Sequence, residues 1–308
     1  MSEHLPVMLT EVMMGLNIKP NGIYLDATFG RGGHSQAILS ALGPQGHLYA
    51  LDQDMAAVEY ARKHIKDPRF TIVHGSFGEL HQWVDGFDIR GKLNGILMDL
   101  GVSSPQLDEP ERGFSFMREG PLDMRMNTTT GQTAADYVNT ASEEAMSKIF
   151  FEYGEEKFAR RIASAIAKAR LEKPFETTIE LANVVRDAQP KKDQFKHPAT
   201  RVFQALRIEV NQELTVLKTA LQAAESALAF GGRLLVISFH SLEDRIVKLF
   251  LQHSEKGPEF PAHLPIPTEL IHQPRLVRVG KPLKASDREI EVNTRARSAI
   301  LRIGERVS

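Results

Sequence analysis

The sequence contains no cysteine. Disulfides, thiolate zinc sites and cysteine nucleophiles are therefore excluded, and no metal site is predicted. No apolar run approaches the roughly 18 to 20 residues that a membrane span needs, and the N-terminus lacks the basic and then apolar pattern of a signal peptide. These absences predict a cytoplasmic protein with no membrane partner.

A strong net charge is also missing. The formal net charge is −1, which argues against a protein that coats nucleic acid through its overall charge. Two stretches are locally basic: residues 191–207 hold five basic residues against one acidic, and residues 275–302 hold eight against three. Each stretch predicts either a local contact with nucleic acid or an ordinary solvated surface.

The chain has enough apolar residues for a large core. Its 308 residues, 42% of them hydrophobic, suit one large α/β domain or a domain with a sizeable insertion. The first hundred residues alternate short apolar runs with helical patterns, the order of βαβ units in a parallel sheet. The predicted strands are 22–29, 47–52, 70–73 and 95–100, with helices near 35–42 and 55–65 between them.

The pattern changes after Pro105 and returns late in the chain. Helical periodicity covers 134–170 and 178–188, which predicts a helical insertion over residues 107–200. A long amphipathic helix over 206–229, a strand over 233–239, a helix capped by Ser241 and a last strand over 298–303 follow. We therefore predict one domain from residues 1–106 and 201–308, interrupted by the insertion.

A glycine-rich turn, Gly30-Arg31-Gly32-Gly33-His34, follows the first predicted strand. Such a turn places backbone N–H groups and a helix N-terminus beside a ligand, and glycine permits close approach. Ser35, the predicted helix cap, stands where the dinucleotide motif has its third glycine. The turn alone predicts either a nucleotide or adenosyl site or an ordinary βα connection.

Groups at other strand ends favour the ligand site. Asp52 follows the turn by about 20 residues, where a carboxylate can accept hydrogen bonds from both ribose hydroxyls. Asp26 either faces the ammonium of a methionine moiety or caps the turn. Phe77 packs either on an adenine face or in the core. Asp99 ends the fourth strand, at the edge where ligands bind in open α/β sheets.

Several sequence blocks closely resemble one family, the 16S ribosomal RNA (cytosine N4)-methyltransferases that modify the small-subunit decoding region. They span nearly the whole chain. The blocks are Asp26-Ala27-Thr28-Phe29-Gly30-Arg31-Gly32-Gly33-His34-Ser35, Asp99-Leu100-Gly101-Val102-Ser103-Ser104-Pro105-Gln106-Leu107-Asp108, Arg112-Gly113-Phe114-Ser115-Phe116, Gly120-Pro121-Leu122-Asp123-Met124-Arg125-Met126, Tyr153-Gly154-Glu155-Glu156, Lys196-His197-Pro198-Ala199-Thr200-Arg201, Ser238-Phe239-His240-Ser241-Leu242-Glu243-Asp244-Arg245 and Arg295-Ala296-Arg297-Ser298. Ala27 is a minor departure, since glycine is frequent there.

The resemblance implies an α/β protein of the class I methyltransferase (Rossmann-like) fold, with a mostly parallel sheet and an inserted helical substrate-recognition domain. It implies S-adenosylmethionine as cofactor and 16S rRNA within the small ribosomal subunit as partner, and a homodimer is one candidate assembly. The implied cofactor contacts are Gly32, Gly33, His34, Asp52, Phe77, Asp99 and Gln106.

The implied reaction moves a methyl group to the exocyclic N4 amine of a cytidine. That nitrogen shares its lone pair with the ring, so an acceptor that draws on its N–H should help it attack. Many amino-methyltransferases use Asp/Asn/Ser-Pro-Pro-aromatic for this, whereas this chain has Asp99-Leu100-Gly101-Val102-Ser103-Ser104-Pro105. We hypothesise that Asp99 or the carbonyl region of Ser103 and Ser104 is the acceptor. His240 lies either near the substrate or at a strand end, satisfied by backbone.

Substrate contacts and competing functions stay open at this point. Aromatic, basic and apolar side chains after the fourth strand either hold a splayed-out base or form a domain-joining core; they are Phe114, Phe116, Arg118, Met124 and Arg125. Competing functions are an NAD-dependent oxidoreductase, a non-catalytic ribosome-assembly factor, and a DNA or small-molecule methyltransferase. The missing third glycine counts against the oxidoreductase.

Overall fold

The structure is a computed structural model that describes residues 6–190, 197–257 and 273–308. The chain forms two compact units, the first built from Met1–Gly101 with Leu214–Ser308 and the second from Val102–Glu213. No helix among the described residues is both long and apolar enough to cross a membrane.

The first unit alternates strands and helices along both of its chain segments. Its helices are α1 (Leu9–Leu16), α2 (Gly33–Ala41), α3 (Met55–His64), α4 (Leu80–Gly86), α11 (Glu213–Ala227, whose first residue belongs to the second unit), α12 (Ser241–Lys256) and α13 (Asp287–Val292). Its strands are β1 (Ile23–Asp26), β2 (His47–Asp52), β3 (Phe70–His74), β4 (Leu93–Asp99), β5 (Leu228–Ser238), β6 (Leu276–Arg278), β7 (Leu283–Lys284) and β8 (Ile300–Arg306).

These strands form one sheet in the order β3-β2-β1-β4-β5-β8-β6, with β7 also paired to β8. Strands β1 to β5 run parallel, and β8 is antiparallel to β5. This confirms the predicted mostly parallel α/β sheet. The chain winds outward from β1 to one side and then from β4 to the other, so the strand order reverses between β1 and β4. A crevice at the carboxyl ends of such a strand pair is where open α/β sheets bind ligands.

Alternating residues of the central strands pack on opposite faces of this sheet. Ile96 and Met98 join one apolar cluster, whereas Leu97 joins another. In β5, Val236 and Leu235 divide in the same way. Burial on both faces explains why these strands read as continuous apolar runs in the sequence.

The second unit is helical around its own core. Its helices are α5 (Ser104–Asp108), α6 (Ala134–Thr140), α7 (Glu143–Glu152), α8 (Ala159–Glu172), α9 (Thr178–Ala188) and α10 (Thr200–Val210). One cluster of buried residues draws on all of these except α5 and includes Phe150, Ile162 and Leu206. The unit runs from Val102 to Glu213, whereas the predicted limits are 107 and 200. Its C-terminal limit lies beyond 200 because α10 buries its apolar side chains in this cluster.

The long helix predicted over 206–229 is wrong, because the chain breaks between α10 and α11. Asn211 Nδ2 donates to the carbonyl of Met124 (2.8 Å), and Asn211 Oδ1 accepts from the backbone N of Met126 (2.7 Å). Gln212 then takes a positive φ of 51°. Tertiary hydrogen bonds to the Asn211 amide thus end α10 where no glycine or proline marks a stop.

Candidate functional site

The predicted glycine turn joins β1 to α2. Gly30 and Gly32 both have positive φ, 57° and 76°. A Cβ on Gly32 would lie 2.6 Å from the Phe29 ring, so this position combines a left-handed backbone with a close contact. The helix begins at Gly33, with Gly32 at its N-cap. The prediction that Ser35 caps the helix is therefore wrong.

The buried carboxylate of Asp26 accepts hydrogen bonds from residues on both sides of the turn, Thr28 and Ser35. Ser35 Oγ donates to Asp26 Oδ2 (2.6 Å), and the backbone N of Thr28 donates to Asp26 Oδ1 (3.1 Å). Asp26 is 1% exposed. Burial raises its pKa, against the opposing effects of Ser35, His34 and Thr28. Of the two predicted roles, these contacts match the turn cap.

Asp52 faces the same turn from the end of β2. Its Oδ2 accepts from the backbone N of Gly30 (2.7 Å), and its Oδ1 accepts from the backbone N of Asp54 (2.8 Å). Burial raises the Asp52 pKa to about 6, and these two hydrogen bonds only partly offset that rise. Each carboxylate oxygen has a further lone pair, so the group can still accept from two hydroxyls.

His34 and Asp99 meet beside the turn. His34 Nε2 lies 3.6 Å from Asp99 Oδ2, and the His34 side chain is buried. Burial lowers the His34 pKa, but the hydrogen-bonding and charge effects of Asp99, with Asp26 and Glu289, outweigh it and raise the pKa overall. The backbone N of Asp99 donates to Thr28 Oγ1 (2.7 Å), which ties the end of β4 to the turn after β1.

Phe77 lies at the edge predicted for it. Asp52 pairs with His74 in the register of β2 and β3, and the backbone N of Gly75 donates to the Asp52 carbonyl (2.9 Å). A short 3-10 helix over Phe77–Glu79 follows, capped by the Ser76 side chain. Phe77 is partly buried against the core, so the structure leaves both its predicted roles open.

Buried polar atoms without a hydrogen-bond partner among the described residues gather at this edge. They include both ring nitrogens of His34, Asp99 Oδ1, Ser238 Oγ and His240 Nε2. Strands β1, β4 and β5 are neighbours and parallel, so these residues lie at or just beyond their carboxyl ends. Buried polar groups in native proteins are nearly always satisfied, and an orphaned set of acceptors and donors therefore marks a place for a polar ligand. The arrangement fits the adenosyl and methionine groups of S-adenosylmethionine.

His240 has a structural task within the first unit. It is the N-cap of α12, with Nδ1 lying 3.5 Å from the backbone N of Glu243. Its Nε2 lies 3.1 Å from Glu243 Oε1, at ion-pair distance but without the direction of a hydrogen bond. Glu243 Oε2 in turn accepts from the backbone N of Phe239 (2.8 Å). The prediction that Ser241 caps this helix is wrong by one residue.

Ser103 and Gln106 lie in the second unit and bind each other. The backbone N of Ser103 donates to Gln106 Oε1 (2.9 Å) in a capping box that starts α5. The Ser103 carbonyl accepts from the backbone N of Leu107 (3.4 Å). Gln106 is buried. The residues predicted for cofactor and catalysis thus divide between the units, with Gly32, Gly33, His34, Asp52, Phe77, Asp99 and His240 in the first.

Each of the residues predicted to hold a splayed-out base has a contact within the second unit, including Arg118, whose Nη1 donates to the Asp108 carbonyl (3.4 Å). Phe114 and Met124 are buried in the core of the second unit, which matches the alternative of a core. Arg125 forms a two-pronged ion pair with Asp123, with both N–O distances 2.8 Å. Phe116 instead stacks on His197, with ring centroids 4.5 Å apart.

The basic stretches are partly neutralised within the fold. Arg207 pairs with Glu213, and Arg302 pairs with Asp244. Arg275 and Arg278 also have acidic partners. Lys191, Lys192 and Lys196 lie outside the described residues. Many of the charges counted from sequence are therefore committed to intramolecular pairs.

A basic surface that composition did not single out lies on and beside α8. Arg160, Arg161 and Lys168 are exposed and span about 100° of the helix surface. Lys157 is exposed just before the helix. None of the four forms an ion pair with another described residue. Helical spacing could have revealed this surface, since the three helical cations recur at i, i+1 and i+8.

Comparison with known proteins identifies the family to which the chain belongs. A model of the MraW methylase family matches residues 1–307. The ribosomal RNA small subunit methyltransferase H of Hydrogenovibrio crunogenus is 55% identical over 306 residues, which cover 99% of this chain and 97% of that protein. The protein of the same name from Pseudoalteromonas atlantica is 53% identical over 305 residues, covering 99% of this chain and 98% of that protein. The chain therefore belongs to the MraW methylase family and uses S-adenosylmethionine as its cofactor, as the sequence predicted.

Proposed function

We propose that this protein transfers a methyl group from S-adenosylmethionine to the exocyclic N4 amine of a cytidine in the decoding region of 16S rRNA. The observation that carries the proposal is the pair of His34 and Asp99 beside the glycine turn, in which both His34 ring nitrogens and Asp99 Oδ1 are buried without a hydrogen-bond partner among the described residues. Both close relatives are named as ribosomal RNA small subunit methyltransferases, which supports the substrate class. The N4 position comes from the sequence resemblance. A cytoplasmic location and a homodimer stay predictions.

The first unit offers groups for each part of the cofactor. Asp52 would accept hydrogen bonds from the ribose hydroxyls, and Phe77 would pack on the adenine. The turn at Gly32 and Gly33 would admit the methionine portion, where His34, with its raised pKa, suits a carboxylate. Gln106 in the second unit stays a predicted cofactor contact. When bound, the cofactor supplies a methyl group on a sulfonium, which is already strongly electrophilic.

The residues of the chain have to align the amine and take its proton. Asp99 Oδ1 is buried and has no hydrogen-bond partner among the described residues, which supports Asp99 as the acceptor. The carbonyl of Ser103 already accepts a helical hydrogen bond, which makes it the weaker candidate. The capping role of His240 accounts for its contact through Nδ1 with the backbone N of Glu243. Its Nε2 lies 3.1 Å from Glu243 Oε1 but has no hydrogen bond among the described residues, which keeps a substrate contact as part of the proposal. Holding the amine in line with the methyl group supplies much of the remaining acceleration.

Acidification is expected to weaken cofactor binding. The Asp52 pKa is about 6, and the ionised carboxylate is the form that accepts from two hydroxyls and attracts a cationic ligand. Between about pH 7 and about pH 5 the ionised fraction falls about ten-fold, so affinity measured by calorimetry should fall by a similar factor. Asp52→Asn is the matched control, since it should bind weakly with little dependence on pH over this range. An equally steep pH dependence in that variant would assign the effect to another group.

The basic surface of α8 supports RNA as the macromolecular partner. Cations that neutralise phosphates release counterions, so affinity falls with salt in proportion to the number of phosphates neutralised. Changing Arg160, Arg161 and Lys168 together to glutamine is expected to lower affinity for small ribosomal subunits. The slope of log affinity against log salt should become shallower by about 2, at roughly 0.7 to 0.9 for each phosphate that is no longer neutralised.

A control for this experiment removes charge where the cation is already paired. Arg90 binds Asp85, and Lys92 binds Asp88, both in the first unit. The double variant Arg90→Gln and Lys92→Gln should leave the salt slope near that of the unchanged protein. If the α8 variant also kept the original slope, its cations would not contact phosphates.

Methyl transfer itself tests the proposed function. Small subunits purified from cells that lack the modification should accept labelled methyl groups from S-adenosylmethionine. Subunits that already carry the modification should not. Tight binding to subunits with no methyl transfer would instead support a non-catalytic assembly factor. Transfer to DNA or to a small molecule but not to the subunits would show that the substrate is not rRNA.

A further inference from the structure

A chain of three aromatic rings in the second unit ends at an exposed histidine. Phe203, in α10, is buried and meets the Phe116 ring edge to face, with centroids 4.8 Å apart and planes at 78°. Phe116 then stacks on His197, with centroids 4.5 Å apart and planes at 27°. His197 is exposed although Phe116 covers one of its faces. The other face of the ring has no ring contact among the described residues.

Hydrogen bonding fixes the state of the His197 ring. The backbone N of Ala199 donates to His197 Nδ1 (3.2 Å), so the proton of the neutral ring is on Nε2. Burial and the charge of Arg186 both lower the His197 pKa, which keeps the ring neutral near pH 7. A neutral ring with one N–H donor, on Nε2, can stack on another flat ring without a charge to desolvate.

The surroundings are apolar and cationic. Met117, next to Phe116 in the chain, is 79% exposed. Arg201, in the first turn of α10, follows His197 by four residues, and its side chain is 37% exposed and 3.9 Å from Glu156 Oε2. Arg186, whose Nε lies 2.9 Å from Asp187 Oδ1, is close enough to influence the His197 pKa. A flat apolar surface beside two guanidinium groups matches a base and its backbone phosphate in single-stranded RNA.

We propose that the outer face of His197, supported by Phe116 and Phe203, is a stacking platform for an unpaired nucleobase of the RNA substrate. This rests on the proposed function, because the base belongs to the small-subunit RNA. The base would stack on His197 as a fourth ring after Phe203, Phe116 and His197. Its 5′ or 3′ phosphate would bind Arg201 or Arg186. The platform would bind a base but take no part in methyl transfer, which the proposed function assigns to Asp99 in the first unit.

Two substitutions separate stacking from structure. His197→Phe keeps a ring on Phe116 but loses the acceptor for Ala199. His197→Asn keeps a side-chain acceptor in a position to bind the Ala199 N–H but has no ring. The measurement is equilibrium binding of the full-length protein to small ribosomal subunits that lack the modification, with affinity for S-adenosylmethionine and the unfolding temperature measured alongside.

Stacking predicts about ten-fold weaker subunit binding for His197→Asn and binding within about three-fold of the original for His197→Phe, because stacking a base on an aromatic ring commonly gives an effect of that size or more. Cofactor affinity should be unchanged in both. The unfolding temperature should fall more for His197→Phe, which loses the hydrogen bond. The platform would be overturned, with the proposed function left intact, by either of two results. One is subunit affinity that falls most in the variant with the lower unfolding temperature; the other is unchanged affinity in His197→Asn. A native protein that neither bound nor methylated the subunits would overturn both.

Discussion

Replacing Asp99 with asparagine is expected to lower the rate constant for methyl transfer by about 100-fold or more, with cofactor affinity changed by only a few-fold. A positioned proton acceptor contributes about 10² to 10⁴ to such a reaction. Asparagine preserves the shape of the side chain but does not take up a proton. Single-turnover kinetics with saturating cofactor measure the chemical step separately from binding.

A second readout shows whether the substituted site is intact. Asp99 is the largest influence that raises the His34 pKa, so the pKa of His34 should fall in Asp99→Asn. A titration of the His34 ring by NMR follows this directly. Asp99→Ala should lose at least as much activity. If it transferred methyl groups within a few-fold of the native rate at unchanged cofactor affinity, Asp99 would have no part in the chemistry.

Gly32→Ala is expected to weaken S-adenosylmethionine binding by at least about 30-fold. The φ of 76° costs a side chain about 1 to 2 kcal/mol, and a Cβ 2.6 Å from the Phe29 ring adds a packing penalty of about 1 kcal/mol or more. The turn relieves these costs only by moving, which displaces the backbone N–H groups that face the ligand. Calorimetric titration with the cofactor measures the loss.

Gly91→Ala is the matched control for that variant. Gly91 has a similar φ of 69°, but a Cβ there would have nothing within 4 Å. This substitution should reduce stability by about 1 kcal/mol and leave cofactor affinity unchanged. Native affinity in Gly32→Ala would mean that the turn does not approach the cofactor.

The sheet and its ligand edge could be predicted from sequence because their causes are local. Strands buried on both faces give uninterrupted apolar runs, and each run here is followed by a turn that carries a polar group. The positions of Asp52 and Asp99 at strand ends follow from these runs alone. The side chains that these two aspartates contact could not be predicted. The contact between His34 and Asp99 joins residues that are distant in sequence and meet only when β1 and β4 pair.

Elements that depend on tertiary contacts were missed for the same reason. Strands β6 and β7 are short, and among the described strands each pairs with β8, which comes late in the chain. The break at Asn211 arises from hydrogen bonds to Met124 and Met126. The ion pairs of the basic residues could not be predicted either, because partners such as Asp244, for Arg302, are also distant in the chain.

Ser35 shows how a correct chemical argument can assign the wrong role. Serine is a favoured helix cap, and its place after the glycine turn suggested that role. In the structure its hydroxyl donates to the buried Asp26, and Gly32 takes the cap position. Asp26 thus accepts a hydrogen bond on each carboxylate oxygen, one from Ser35 Oγ and one from the backbone N of Thr28.

Identification of the methylated nucleoside tests the central proposal most directly. Small subunits lacking the modification would be incubated with the protein and labelled S-adenosylmethionine, and the 16S rRNA would be digested to nucleosides and separated by mass spectrometry against standards. The label is predicted to appear as N4-methylcytidine within the decoding region and to be lost with Asp99→Asn. Label in a ring-methylated or ribose-methylated nucleoside, or at another region of the rRNA, would contradict the proposed reaction.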